Sequence, residues 1–299
     1  MDDTIVYSLY STTYILYPIS YNLQPITYRI ITEGSEHGNM QTIAITIQKG
    51  GTGKTTTSSA LASGLTAAGQ RVLLVDMDPQ QNLSYASGVD VLGIPCTLYD
   101  VWKGNRRITD AIQTVNLQTD IITGGLALAS ADFEFSGTVG REQLLKRSIS
   151  QVSDRYDYCI LDCPPSLGLL TMTALTAADK VIIPMTVDAL AIQGLAHLWG
   201  FIQNVKEYCN PGLIVSGILL TMYEPGTITT KALESQIVSF ADQAGIRLFH
   251  ARIRKSQAIR TAQAQQSTDI YNRTAQVKAA ADYRLFVAEL MTMKESEEK

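Results

Sequence analysis

From about residue 41 onward the chain alternates short β-branched apolar runs with longer stretches in which apolar residues return every three or four positions. Residues 42–47 read Thr-Ile-Ala-Ile-Thr-Ile and predict a strand. Ala60, Leu61, Gly64, Leu65 and Ala68 then line one face of a helix that Gly69 ends. Further strands are predicted at 71–75, 158–162, 181–184 and 213–220, and helices at 190–208 and at roughly 276–292. The last of these carries Val277, Ala280, Ala281, Leu285, Val287, Ala288 and Met291. Strands that alternate with helices imply an α/β fold, a mostly parallel twisted sheet flanked by helices on both faces.

Composition narrows this picture without changing it. With 45% hydrophobic residues in 299, the chain can bury a sizeable core, and one large domain over 40–292 is expected, closed by an acidic tail at 293–299. No run of 18 apolar residues occurs, so no transmembrane helix is expected. Cys96, Cys159, Cys163 and Cys209 form no CxxC pair and read as free thiols in a reducing cytoplasm. The first 39 residues stand apart, with six tyrosines (Tyr7, Tyr10, Tyr14, Tyr17, Tyr21 and Tyr28) and Arg29 as their one basic residue. They lack the basic start and apolar core of a signal peptide. They are expected to be a disordered or Tyr-rich interaction segment, or an extension upstream of a natural start at Met40.

Candidate chemistry begins at residues 48–56, Gln-Lys-Gly-Gly-Thr-Gly-Lys-Thr-Thr, between the first strand and the first helix. A phosphate-binding loop needs glycines so that backbone N–H groups can turn inward, a lysine for the β and γ oxygens, and a hydroxyl for Mg²⁺. Gly50, Gly51, Thr52, Gly53, Lys54, Thr55 and Thr56 supply these parts. The ordinary spacing would place its first glycine at Gln48, and an additional lysine, Lys49, precedes the glycines. A tight turn is the plain alternative, but strand, loop and helix in this order set a helix N-terminus against an anion. Asp76 and Asp78 follow the second strand, and Asp162 follows the third with Cys163, Pro164 and Pro165 behind it. Polar residues just past the carboxyl ends of parallel strands face the ligand crevice, and two prolines force the chain out of the sheet there.

The loop KGGTGKT, the segment Asp76-Met77-Asp78-Pro79-Gln80-Gln81-Asn82 and the segment Asp162-Cys163-Pro164-Pro165 together resemble the ParA/MinD superfamily of dimerising ATPases with a deviant phosphate loop. The resemblance spans about 40–292 and is strongest in 41–90 and 157–185. It implies a P-loop fold, ATP and Mg²⁺ as ligands, and a homodimer in the ATP state in which Lys49 reaches the partner's nucleotide. By the same resemblance Lys49, Lys54 and Asp78 are catalytic, Asp78 holding the attacking water. Asp76 would support the metal shell, with Thr55 a direct Mg²⁺ ligand and Asp162 acting through water. Met222, in the segment 221–224, would help form the adenine pocket. Family members often carry an arginine two or three residues further on, where this chain has Pro225-Gly226-Thr227.

Within the superfamily, charge placement selects a branch. The net charge of -4 argues against nucleic acid only if charge is evenly spread. From residue 243 to 268 the chain carries Arg247, Arg252, Arg254, Lys255 and Arg260 and no carboxylate. Several cations acting together suit a phosphate-tracking surface. The stretch 252–258 resembles the family's VRxSxA segment, near which ParA proteins contact non-specific DNA, so Arg252, Arg254, Lys255 and Arg260 are the candidate DNA-binding set. A basic face that pairs with acids elsewhere is the plain alternative. A MinD-like membrane ATPase would need a basic amphipathic C-terminus, whereas this chain ends Lys294-Glu295-Ser296-Glu297-Glu298-Lys299. Cluster cysteines of iron proteins are absent, and the tyrosines lie at the wrong end for the related kinases. The expectation is therefore a ParA-type partition ATPase in the cytoplasm, nucleoid-associated when ATP-bound, with a ParB-like centromere-binding partner and no membrane role. A switch that positions a membrane or protein cargo is the alternative.

Overall fold

Five consecutive fully buried residues make up Val72–Asp76, and five more make up Tyr158–Asp162, as strands covered on both faces must be. The computed structural model describes residues 6–9, 12–15, 31–32, 40–226, 228–265 and 277–297. It divides into two units, Met1–Asn39 and Met40–Lys299. In the first, β1 (Val6–Leu9), β2 (Thr12–Ile15) and β3 (Ile31–Thr32) form an antiparallel sheet in that order.

The second unit holds eight strands: β4 (Gln41–Ile45), β5 (Val72–Asp76), β6 (Ile112–Asn116), β7 (Thr119–Thr123), β8 (Tyr158–Asp162), β9 (Lys180–Met185), β10 (Ile214–Tyr223) and β11 (Leu248–Arg254). Their order in the sheet is β11-β10-β9-β4-β8-β5-β7-β6, parallel throughout except where β6 pairs antiparallel with β7 at one edge. β4 lies between β8 and β9, while its connection runs through α1 (Lys54–Ala67) to β5, one strand beyond β8. This reversal of direction around the first strand opens a crevice past the carboxyl ends of β4, β5 and β8.

Alternate residues of the central strands feed two cores. Ile43, Ile45, Leu74 and Ile160 pack with α1 and with the last helix, α10 (Lys278–Glu297). Ala44, Leu73, Val75 and Leu161 pack on the other face with α6 (Leu169–Ala177), α7 (Ala189–Tyr208) and α8 (Ile228–Ala244). On α7 the buried residues are Ala191, Gly194, Leu195, Leu198, Ile202 and Val205, a stripe of period three to four. Shorter helices fill the crossovers: α2 (Asn82–Ala86), α3 (Leu98–Trp102), α4 (Ala131–Glu134), α5 (Leu144–Ile149) and α9 (Gln257–Ala264).

The expected fold class holds, and the predicted strands and the helix at 190–208 lie within a few residues of those observed. The last helix starts at Lys278 and runs to Glu297, taking in most of the expected acidic tail. The β6–β7 hairpin and β11 are additions that the sequence pattern left unassigned. No helix among the described residues is long and apolar enough to cross a membrane.

Candidate functional site

The loop leaves β4 through a tight turn in which Lys49 N–H donates to Ile47 O at 2.8 Å. Gly51 and Gly53 then take φ of +73° and +83°, a region costing any residue with a Cβ about 1–2 kcal/mol. Gly53 is the N-cap of α1 and makes no side-chain capping bond, so the first N–H groups of the helix face the crevice. Thr221 Oγ1 on β10 donates to Thr52 O at 2.7 Å and pins the loop to the sheet. Lys54 is buried and curls back to donate to Lys49 O at 2.9 Å. Burial pushes the Lys54 ammonium below its ordinary value, against the opposing pull of Asp162.

Two carboxylates end adjacent strands, since Asp76 and Asp162 are register partners across β5 and β8. Both are buried. Asp162 Oδ2 accepts from Thr55 Oγ1 at 2.8 Å and Oδ1 accepts from Ser58 Oγ at 3.0 Å, which ties it to the first turns of α1. Asp76 Oδ2 accepts from the Ser84 amide and hydroxyl, each at 2.8 Å, and Oδ1 from the Asp78 amide at 3.3 Å. Burial pushes Asp162 up to about 7 and Asp76 up to about 6, and the charge of Asp76 raises Asp162 further. Asp78 is half-buried, and its Oδ1 accepts from the Gln80 amide at 2.9 Å.

Lys54, Thr55 and Asp78 face one cavity of about 650 Å³, lined by residues 50, 51 and 53–56 of the loop, by Asp78, Gln80, Asn82 and Tyr85, and by Pro165 and Met222, with Asp162 behind Thr55. Among the described residues two non-glycines take left-handed φ: Met222, in the cavity wall, at 48°, and Gln81, between the lining residues Gln80 and Asn82, at 55°. Such backbone marks a constrained segment, costing on the order of 1–3 kcal/mol. A smaller cavity adjoins it, bordered by Gly53, Thr56, Met222, Arg254, Lys255 and Tyr283. Tyr283 reaches it from α10, with its hydroxyl 3.3 Å from Thr57 Oγ1.

A magnesium–nucleotide ligand suits this donor set. An uncapped helix N-terminus and a buried ammonium meet anionic oxygens, and the two buried carboxylates favour a cation beside them. No group of three or more His, Cys, Asp and Glu side chains that could hold a metal occurs among the described residues.

The structure thus brings together the loop, Asp76, Asp78, Asp162 and Met222. It treats the other predicted residues differently. Lys49 Nζ, expected to leave its own subunit, donates here to Asp188 Oδ2 at 2.5 Å and to Thr186 Oγ1 at 3.3 Å. Both oxygens of Asp76 are engaged by the segment that follows β5, so its placement suits holding that segment as well as supporting a metal shell. Three cations of the basic stretch pair with carboxylates in space. Arg254 donates to Asp282 from its backbone N, Nε and Nη2, Arg252 Nε lies 3.3 Å from Glu234, and Lys255 Nζ lies 3.3 Å from Glu224. The side chain of Arg260 lies outside the described residues. Ser58, Ser84, Asp188 and Tyr283 went unnoticed in the sequence. Only Asp188 carried a signal, as an Asp just before an apolar helical run.

A parallel sheet, a glycine loop opening a helix and carboxylates at neighbouring strand ends define a P-loop nucleotide-binding core. A family model described as an AAA domain matches residues 40–215. The sporulation initiation inhibitor protein Soj of Bacillus subtilis is 39% identical over 218 residues, which is 72% of this chain and 86% of Soj. The chromosome partitioning protein ParA of Myxococcus xanthus is 42% identical over 183 residues, 61% of this chain and 65% of that one. Among solved structures, cobyrinic acid a,c-diamide synthase of Mycobacterium smegmatis, with a bound ATP analogue and magnesium, superposes with a TM-score of 0.74 at 30% identity, covering 86% of this chain and 97% of that one. The chain belongs to the ParA/Soj family of P-loop ATPases.

Proposed function

We propose that this protein is a partition ATPase whose closed form is a dimer on DNA. Two protomers bind ATP with Mg²⁺ at the head of α1 and close face to face, each Lys49 reaching the other's nucleotide. The closed dimer is held on non-specific DNA, and hydrolysis stimulated by a ParB-like protein releases it. One observation supports this above the rest: Lys54, the Thr55–Asp162 pair and the open end of α1 meet at one end of a cavity with Asp78 in its wall.

Thr55 would hold Mg²⁺ directly and Asp162 through water, and the ion neutralises phosphate charge when bound. Lys54, already desolvated, sets a localised positive charge against the β and γ oxygens. Asp78, held in its turn by the Gln80 amide, orients the attacking water. Asp76 fixes that turn from below through the Asp78 amide and Ser84. Turnover by one protein alone should be slow, because phosphoryl transfer depends on a complete electrostatic surround that a partner can finish.

Pairing of Arg252, Arg254 and Lys255 with carboxylates favours a second reading, a switch that positions a protein cargo without touching DNA. Retention on unrelated duplex DNA with ATP, with ADP and without nucleotide, across a salt series, separates the two. Partition predicts retention with ATP only, falling steeply with salt as counterion release requires. ATP-dependent dimers that ignore DNA at every salt concentration would select the cargo switch.

A further inference from the structure

The loop departs from the ordinary phosphate loop at two residues, Gln48 and Lys49, and α7 holds both. His197 Nδ1 on α7 lies 3.0 Å from Gln48 Oε1. A Cβ on Gly194 of the same helix would stand 2.8 Å from Gln48 O, so helix and loop are in direct backbone approach there. At the head of α7, Asp188 does two things with separate oxygens. Its Oδ1 accepts from the Ala191 amide at 3.0 Å as the helix N-cap, and its Oδ2 takes Lys49 Nζ and the Thr186 hydroxyl.

We propose that Asp188, with Thr186, is a positioning residue for Lys49, storing its ammonium within the free protomer so that closing the dimer must first break this pair. The proposal rests on the reading above, in which Lys49 crosses to the partner's nucleotide. Lys49 Nζ cannot lie at Asp188 Oδ2 and at a second subunit's phosphate together, so the two contacts compete. The lysine and aspartate side chains are 26% and 37% exposed, and an ion pair so placed is weak enough to open. Opening it leaves the α7 cap in place, because the cap uses the other carboxylate oxygen. Partial burial pushes Asp188 up, and the bonds from Lys49, Thr186 and Ala191 outweigh it and hold the carboxyl below its usual value.

The test is the dimer dissociation constant of the full chain with a non-hydrolysable ATP analogue and Mg²⁺, measured by sedimentation. Asp188→Asn is the informative variant, since asparagine caps helices as well as aspartate but carries no charge for Lys49. An exposed ion pair shifts an equilibrium by roughly 2- to 5-fold, and each dimer opens two, so Asp188→Asn should tighten the dimer by about 4- to 25-fold. Thr186→Val should move it the same way by less. On a Lys49→Ala background Asp188→Asn should change nothing, because the pair is already gone. Unchanged or weaker dimerisation of Asp188→Asn overturns the proposal while leaving the cross-dimer lysine intact, and so does tightening that persists without Lys49. If Lys49→Ala alone dimerises like the wild type, the cross-dimer reading itself fails and the proposal goes with it.

Discussion

Replacing Asp162 with asparagine should make the nucleotide-free protein more stable at pH 8 while removing its catalysis. Asp162 is 1% exposed and stands beside the equally buried Asp76. Burial and that neighbour raise its carboxyl from 3.8 to about 7. The folded value exceeds the unfolded one, so between about pH 4 and 7 the folded protein binds more protons, and stability falls as pH rises through that window. At pH 8 the full penalty for this group is on the order of 4 kcal/mol. An asparagine keeps both contacts, since the hydroxyls of Thr55 and Ser58 can turn to give or accept a bond. Allowing for imperfect geometry, a gain of about 2–4 kcal/mol is expected, or roughly 5–10 °C in melting temperature for a domain of this size. Thermal unfolding of both proteins at pH 5.5, 7 and 8 tests this. The gap should narrow by about half at pH 5.5, where the wild-type carboxyl is mostly protonated. Magnesium with ADP should raise the wild-type melting temperature and the variant's much less. A variant that melts at or below the wild type at pH 8 would refute the reasoning, because the buried charge would then stabilise the apo fold.

Three further outcomes follow from the site. Lys54→Ala should abolish nucleotide binding by equilibrium dialysis, whereas Asp78→Ala should keep ATP, dimerise and lose hydrolysis; a monomeric Asp78→Ala protein at saturating ATP would contradict the water-positioning role. Ser84→Ala removes one of the bonds to buried Asp76 and should cost ~1–3 kcal/mol in urea unfolding together with a fall in kcat. Arg254→Ala should lower the melting temperature, because it strands the buried carboxylate of Asp282, while Lys255→Ala, paired with exposed Glu224, should leave it unmoved. DNA retention lost in Arg254→Ala but kept in Lys255→Ala would therefore report on folding before it reported on DNA.

What could be read from the chain beforehand follows a physical line. β4, β5 and β8 were visible because each is a short run dominated by apolar or β-branched residues, β5 and β8 each closing on an aspartate, and the site hangs from their carboxyl ends. α2 to α5 are four to six residues long, too short for periodicity to register, and form only where the crossovers pack. β11 did carry a signal, since Phe249, Ala251 and Ile253 are buried and alternate with His250, Arg252 and Arg254. Its charges drew attention to the surface and away from the alternation. Counting charge along the chain was misleading for the same stretch, because Glu224, Glu234 and Asp282 reach the arginines and the lysine only through the fold. The contact between Lys49 and Asp188 spans 139 positions and is likewise a product of β9 lying beside β4.

The meeting of Tyr283 with Thr57 joins residues 226 positions apart, and the helix bearing that tyrosine also covers β11 and the back of α1. During synthesis, at about 5–20 residues per second, the phosphate loop emerges many seconds before this helix does. Until Lys278–Glu297 leaves the ribosome, the apolar cluster that holds Leu61 and Leu65 of α1 lacks the share that this helix supplies, and the small cavity beside Gly53 lacks Tyr283 from its wall. A nascent chain therefore exposes its glycine loop long before the helix that walls the small cavity beside Gly53 has been made.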